Sequence, residues 1–298
     1  FNVTGVFPLL SGVRVYYAPD PTNAKGMARD VYNWKATVFC SAPTFFKNLF
    51  IVASPRQLKT VRYFVTGAEK APKEFYDYVE KLGPNHKVIE GYGITECSPI
   101  VTITRPNRPL VGVGQALPNL DLCVINPETD ELLAKNKVGE LCICGDSVFQ
   151  GYLKGANKDP FIEIQGKRWY RSGDLARIDQ EGNVIIEGRL KRFIKIGGEM
   201  VSLNALEEEI YEISKRNGWI KEVIEGPALA IGVNEKLDKP AIILFTAFPL
   251  TKDHVNMGLR ESGFGRIMKI SEVRQLAEIP LNSTGKVHYR KLNEMASA

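Results

Sequence analysis

The chain has 298 residues, 44% of them hydrophobic and 24% charged, which is ordinary globular material and enough for two domains with sizeable cores. Its net charge of +5 is mild and its Lys and Arg residues are scattered, which argues against a nucleic-acid surface and only permits a preference for anionic ligands. No stretch approaches the roughly 20 uninterrupted apolar residues that span a bilayer, and no signal peptide opens the chain, so the sequence reads as cytoplasmic.

Residues 1–105 alternate strand and helix signals. Val13 to Tyr17 and Val61 to Val65 read as strands, and Ala71 to Leu82 as a helix. In that helix Pro72 sits near the first turn, Phe75, Val79 and Leu82 share a face, and Gly83 follows as a terminator. Such alternation predicts a mostly parallel sheet with helices on its faces and ligands beyond the strand C-termini, where Gly67 and Gly91 fall.

From 106 to 188 the pattern shifts to short strands, Asp121 to Ile125, Glu140 to Cys144 and Asn183 to Glu187, which predict a small β-barrel. Residues 189–298 open with a hairpin over Phe193 to Val201. A helix capped by Asn204 follows, with Glu207 at its third position and Leu206, Ile210 and Ile213 on one face. A strand over Ala241 to Ala247 and a helix from about Asp253 complete a small α+β domain. Five cysteines are present, and Cys142 and Cys144 share a face of one strand. With no second Cys or His pair beside them, they read as buried free thiols rather than metal ligands.

The chemistry concentrates at Glu90-Gly91-Tyr92-Gly93-Ile94-Thr95-Glu96, where an apolar run from His86 to Ile89 feeds a glycine-hinged turn. Backbone N–H groups in such a turn approach a phosphate, a hydroxyl hydrogen-bonds it, and a carboxylate holds the Mg²⁺ that neutralises it. Companion runs stand in order around it: Gly67-Ala68-Glu69, Trp169-Tyr170-Arg171-Ser172-Gly173-Asp174, Gly188-Arg189-Leu190-Lys191 and Ser283-Thr284-Gly285-Lys286. A Walker-type reading of the last run fails, because no Gly stands at the required spacing and Val287 replaces Ser or Thr.

This ordered set resembles the adenylate-forming superfamily of acyl-CoA synthetases, luciferases and peptide-synthetase adenylation domains, over nearly the whole chain. Within it, the stretch from Arg192 to Leu203 looks most like the acyl-carrier-protein synthetase half of bifunctional 2-acylglycerophosphoethanolamine acyltransferases. The resemblance implies an α/β fold. Residues 1–188 form the C-terminal portion of a large AMP-binding domain, and 189–298 a small mobile domain on a hinge. It implies ATP or AMP and Mg²⁺ as ligands. Gly67, Ala68, Glu69, Glu90, Gly91 and Tyr92 then contact adenine, Gly93 belongs to the same nucleotide-binding run, Thr95 meets the phosphate, Glu96 the Mg²⁺ and Asp174 the ribose hydroxyls. Arg189 contacts ribose and phosphate, Lys191 is the hinge, Lys286 serves adenylation and Lys195 the second half-reaction.

What the resemblance implies for function is activation of a fatty acid as acyl-AMP and its transfer to a phosphopantetheine thiol of acyl carrier protein or CoA. The Gly197-Gly198 bend then admits that arm. The superfamily's Ser/Thr/Gly-rich phosphate loop does not occur here and the first residue is Phe1, so the chain is expected to be a fragment of a longer enzyme, inactive alone, whose remainder brings it to the inner membrane. Two alternatives stay open: an amino-acid adenylation domain, and a non-catalytic module that binds AMP or a carrier.

Overall fold

Helical and extended segments alternate at the start of the chain because each parallel strand needs a crossover to reach the next. In order they are α1 (Phe7–Leu10), α2 (Ala24–Trp34), β1 (Val38–Cys40), α3 (Pro43–Val52), α4 (Pro55–Leu58), β2 (Tyr63–Gly67), α5 (Lys73–Leu82) and β3 (Lys87–Gly93). β1, β2 and β3 pair in parallel, and β4 (Ile100–Ile103) and β5 (Gln115–Ala116) extend the sheet antiparallel in the order β1-β2-β3-β4-β5. These coordinates are a computed structural model, and they describe residues 2–153, 159–196, 199–220, 226–234, 240–263, 268–282 and 286–297.

The helix read over 71–82 forms as α5, with Pro72 at its N-cap and Gly83 closing it at φ +116°. Phe75 and Val79 are buried from it, and Phe46, Phe50, Phe64 and Phe75 pack ring on ring between helices and sheet. Val13 to Tyr17 departs from the strand reading. No strand partner meets it among the described residues. The Tyr16 ring lies 5.1 Å from the Trp34 ring, and its hydroxyl donates to Asp30 at 2.8 Å. An alternating apolar pattern makes a strand only where another edge is free to pair with it.

The short strands that follow are β6 (Leu120–Ile125), β7 (Gly139–Gly145), β8 (Phe161–Ile164), β9 (Lys167–Ile178) and β10 (Val184–Arg189). They form an antiparallel sheet ordered β10-β9-β7-β6, with β8 on β9. Leu120, Val124, Leu141, Ile143, Tyr170 and Ala176 bury against Val101 of β4, so the two sheets of this unit share a core.

The chain divides into two compact units, Phe1–Glu187 and Gly188–Ala298. In the second, β11 (Phe193–Ile196) and β12 (Glu199–Ser202) form the hairpin that leads into α6 (Leu203–Arg216). Then come β13 (Leu229–Asn234), β14 (Ala241–Thr246), α7 (Lys252–Glu261), β15 (Glu272–Gln275) and α8 (Tyr289–Ala296). The sheet β13-β14-β15 has two apolar faces. Ile231, Val233, Ile242 and Leu244 meet Leu206, Ile210 and Ile213 of α6, while Ala230, Ile243 and Phe245 meet Leu292 of α8.

The start of α6 differs from the sequence reading. Ser202, not Asn204, is the N-cap, and its hydroxyl accepts the Ala205 N–H at 3.2 Å. Asn204 and Glu207 are drawn instead to Arg192, a residue that a basic strand end would place in water but that is only 6% exposed.

Candidate functional site

Two glycine runs end side by side. Gly67 of β2 and Gly91 of β3 are register partners, as are Thr66 and Glu90 one step earlier. A Cβ on Gly67 would lie 2.6 Å from the Gly91 carbonyl oxygen, and one on Gly93 would lie 2.3 Å from that of Pro99. Glycine is therefore required at both positions by close backbone approach. Ala68 follows at φ +68°, a left-handed conformation that costs a non-glycine residue about 1–2 kcal/mol. Thr66 Oγ1 is buried beside this turn with no hydrogen-bond partner among the described residues.

Glu69 and Glu90 face different surroundings. Glu69 is exposed and accepts the Thr44 hydroxyl at 2.7 Å. Glu90 is buried, its carboxylate accepting the Tyr76 hydroxyl and its backbone exchanging hydrogen bonds with Thr104. Burial pushes the Glu90 carboxyl above its usual range, against the opposing pull of the Tyr76 hydroxyl and the Ala71 N–H. A carboxyl whose folded pKa exceeds its unfolded one binds extra protons when folded, so its contribution to stability falls as pH rises through that interval. The melting temperature of Glu90→Gln relative to wild type is accordingly expected to rise between pH 4 and pH 7. A flat difference would contradict the shift.

Beyond β3, Thr95 to Cys97 form a 3-10 turn. Thr95 is exposed and Glu96 partly so, with Oε1 accepting the Tyr152 hydroxyl at 2.7 Å. Tyr152 stands in turn 3.5 Å from the Tyr170 hydroxyl and packs edge-on to Phe149.

Asp174 reaches this neighbourhood through a defect in β9. Cys142 pairs with Arg171 and Glu140 with Leu175, so that Leu141 alone faces Ser172, Gly173 and Asp174. Such bulges re-aim side chains, and Gly173 takes φ +70° within this one. The bulge is tied down from both sides. Ser172 Oγ donates to the Leu141 carbonyl at 2.7 Å and accepts the Asp174 N–H at 3.1 Å. Glu140, 3% exposed, accepts Arg171 Nε at 2.8 Å and the Gly173 N–H at 3.2 Å. The Tyr92 hydroxyl then donates to Asp174 Oδ2 at 2.5 Å, joining the end of β3 to the bulge.

The structure thus brings Gly67, Gly91, Tyr92, Gly93, Thr95, Glu96 and Asp174 to one end of the parallel sheet. Glu140 and Tyr152, which hold Asp174's turn and Glu96, were not legible in the sequence. Nothing local marks either one, since the partners lie 33 and 56 residues away. The remaining candidates belong to the second unit. Arg189 ends β10, Lys191 lies in a 3-10 turn over Leu190–Arg192, Lys195 stands on β11, and Lys286 follows the 283–285 segment; all four are exposed. The Gly197-Gly198 bend and Ser283-Thr284-Gly285 lie outside the described residues.

A family model described as AMP-binding enzyme matches residues 2–153, just over half of the chain. The chain belongs to the AMP-binding enzyme family. Members of this family bind ATP or AMP, with Mg²⁺ as the usual partner, and include ATP-dependent ligases that adenylate acyl or amino acids. This family member is 28% identical to malpibaldin synthetase of Mortierella alpina over 96% of its own length and 5% of that protein. It is 31% identical to a mitochondrial medium-chain acyl-CoA ligase of Rattus norvegicus, over 67% of its length and 33% of the relative. The chain therefore spans a third or less of these curated relatives.

Among solved structures it resembles ATP-bound MatB from Rhodopseudomonas palustris, with a TM-score of 0.79 at 24% identity over 99% of this chain and 57% of that one. O-succinylbenzoate coenzyme A synthetase from Bacillus subtilis in complex with AMP gives 0.74 at 17% identity, over 96% and 56%. At such identities the likeness establishes the α/β adenylate-forming fold. Among the described residues no three His, Cys, Asp or Glu side chains converge as a metal cage. One carboxylate beside a hydroxyl, as at Glu96 and Thr95, fits a cation that also takes oxygens from nucleotide phosphates.

Proposed function

We propose that the whole protein activates a fatty acid as acyl-AMP and passes the acyl group to the phosphopantetheine thiol of acyl carrier protein or CoA. The observation that supports the adenylate site is the bond from Tyr92 to Asp174, which sets an aromatic face and a carboxylate beside the Gly67–Gly91 strand ends. Tyr92 stacks on the purine while backbone groups of Gly67, Ala68, Glu69, Glu90, Gly91 and Gly93 read its edge. The Glu90 side chain is committed to Tyr76 and its N–H to Thr104, so the residue serves through its carbonyl oxygen, which accepts the Thr104 N–H and keeps a second lone pair for the purine edge. Asp174 accepts both ribose hydroxyls, a bidentate role that suits a carboxylate.

A carboxylate is a poor acylating agent because its leaving group would be oxide, whereas a mixed anhydride with AMP leaves readily. In the first step the substrate carboxylate oxygen attacks the α-phosphorus in line and pyrophosphate departs. Thr95 donates to a phosphate oxygen, and Lys286 bonds the carboxylate and α-phosphate as negative charge gathers there. Glu96 would hold the Mg²⁺, which supplies charge neutralisation of the phosphates when bound. In the second step the thiol sulfur attacks the acyl carbon and AMP leaves. Arg189 steadies ribose and phosphate, Lys195 serves this thiol step, and rotation at Lys191 exchanges the two steps.

The domain assignment follows the same reading: 1–188 as the C-terminal portion of the large AMP-binding domain, with subdomains 1–105 and 106–188, and 189–298 as the small mobile domain. The likeness of Arg192 to Leu203 to acyl-carrier-protein synthetases favours a carrier-bound product, and with it a role in phospholipid acylation at the cytoplasmic face of the inner membrane. Among the described residues no helix is long and apolar enough to cross a membrane. The second reading, amino-acid adenylation, is favoured by the malpibaldin synthetase match across 96% of the chain.

Acid-dependent ATP–pyrophosphate exchange on the whole protein separates the two. Exchange with medium or long fatty acids and none with a panel of amino acids is the expected result. Exchange with an amino acid alone would replace the first reading by the second.

A further inference from the structure

β6 and β7 bring two thiols face to face. Cys123 and Cys142 are register partners in this antiparallel pair, and both belong to one apolar cluster on the same face of the sheet. Directly opposed residues in antiparallel strands hold their Cα atoms about 4.5–5.5 Å apart. That lies inside the roughly 4.4–6.8 Å that a disulfide spans. The backbone is thus already placed for a bond between them.

Their surroundings separate two roles. Cys142 is wholly buried against Ile125 and Trp169, and its neighbouring thiol and burial push it upward. Cys123 is half-buried, and the Cys142 thiol opposite it draws its thiol below the ordinary range. A thiolate that solvent reaches is the one an oxidant meets first. Cys144 lies two residues along the same strand but pairs in register with Asp121.

Cys142 also touches the frame of the nucleotide site. Its register partner on the other side is Arg171, whose guanidinium holds Glu140, and Glu140 grips the Gly173 N–H of the bulge that presents Asp174. A disulfide brings opposed Cβ atoms to about 3.8 Å, from about 4.5–5.5 Å in an ordinary pair. Closing it draws β7 toward β6 at the residue facing Arg171.

We propose that Cys123 and Cys142 form an oxidation site that closes into a disulfide within the folded sheet, and that closure loosens the turn presenting Asp174. The second half rests on Asp174 serving the nucleotide. The oxidant class is a peroxide. The Cys123 thiolate attacks a peroxide oxygen, the O–O bond breaks, and with one proton taken up the products are a sulfenic acid and water. The Cys142 sulfur then attacks the sulfenic sulfur, the S–O bond breaks and a second water leaves. Two thiols and one hydrogen peroxide thereby give one disulfide and two waters.

The test oxidises the folded full-length protein with hydrogen peroxide and maps its tryptic peptides, since Lys135 and Lys137 lie between the two cysteines. A cross-linked peptide pair is expected in wild type and in Cys144→Ala, and its loss in Cys142→Ala and in the half-buried Cys123→Ala, the substitution with less packing to disturb. Absence of the cross-link in wild type, or its dependence on Cys144, would overturn the site. AMP affinity by calorimetry is expected to weaken severalfold on oxidation, to return on reduction, and to stay unchanged by peroxide in Cys123→Ala. A cross-link with unaltered affinity would overturn the coupling. Failure of the reduced protein to bind AMP would overturn the nucleotide reading and the coupling with it, while the peptide map still decides the disulfide.

Discussion

Replacing Arg192 by methionine is expected to destabilise the second unit by about 3–5 kcal/mol, the range for breaking a buried ion pair from one side. The guanidinium has no slack in its partners. Nη2 donates to Glu207 Oε1 at 2.6 Å, Nε to Asn204 Oδ1 at 3.0 Å and Nη1 to the Ile231 carbonyl at 2.9 Å, while its plane lies 3.7 Å from the Tyr289 ring. Glu207 also accepts the Ile231 N–H at 2.5 Å and the Tyr289 hydroxyl at 3.1 Å. One cluster thus ties the turn holding Lys191 to α6, β13 and α8.

The loss should depend on pH in a definite direction. Burial pushes the Glu207 carboxyl above its ordinary range, and the Arg192 charge is the largest influence pulling it back. Without Arg192 the folded pKa rises further above the unfolded value, so stability is lost as pH rises through that widened interval. Denaturant unfolding followed at Trp219, packed in this unit's core, should show a larger deficit at pH 8 than at pH 5. Adding Glu207→Gln should recover part of it at pH 8. A deficit under about 1 kcal/mol at pH 8, the scale of an exposed pair, would mean that the cluster does not hold the unit together.

What was legible in the sequence was mostly local. α5 needs only its own spacing, Pro72 before it and Gly83 after it, and each is a contact within a few residues. The end of β3 was legible as a place of close backbone approach, from Gly91 and Gly93, but not as a strand: a turn is expected from Glu90, whereas β3 runs on to Gly93 because β2 and β4 pair with it from both sides. Asp174 was legible as a residue but not as a geometry, since the bulge that aims it exists only through Glu140 and Leu141, 31 to 33 residues away. Arg192 shows the opposite failure. Beside Lys191 it looks like a solvated strand end, and only Glu207 and Tyr289, brought in by α6 and α8, make burial of its charge tolerable. Val13 to Tyr17 carried the local signal of a strand without a neighbouring edge to complete it.

Lys286→Ala is expected to lower fatty-acid-dependent pyrophosphate exchange by about 10²–10³-fold, the effect of removing one preorganised group from a developing charge. Transfer from preformed acyl-AMP to the thiol is expected to stay within a fewfold of wild type. The split follows from how the residue is held. Its backbone is bonded to Asn282, with Lys286 N–H donating to Asn282 Oδ1 at 3.0 Å and Asn282 N–H to the Lys286 carbonyl at 2.8 Å. A bridge between Leu281 and Val287 and the bond from His288 N–H to the Pro280 carbonyl continue that pairing, and His288 caps α8. The side chain is exposed, so alanine removes the ammonium and keeps these backbone hydrogen bonds. Loss of one half-reaction alone is what a group acting only in the adenylation transition state produces. Equal loss of both would instead point to damage of the second unit, and no loss of exchange would remove Lys286 from the chemistry.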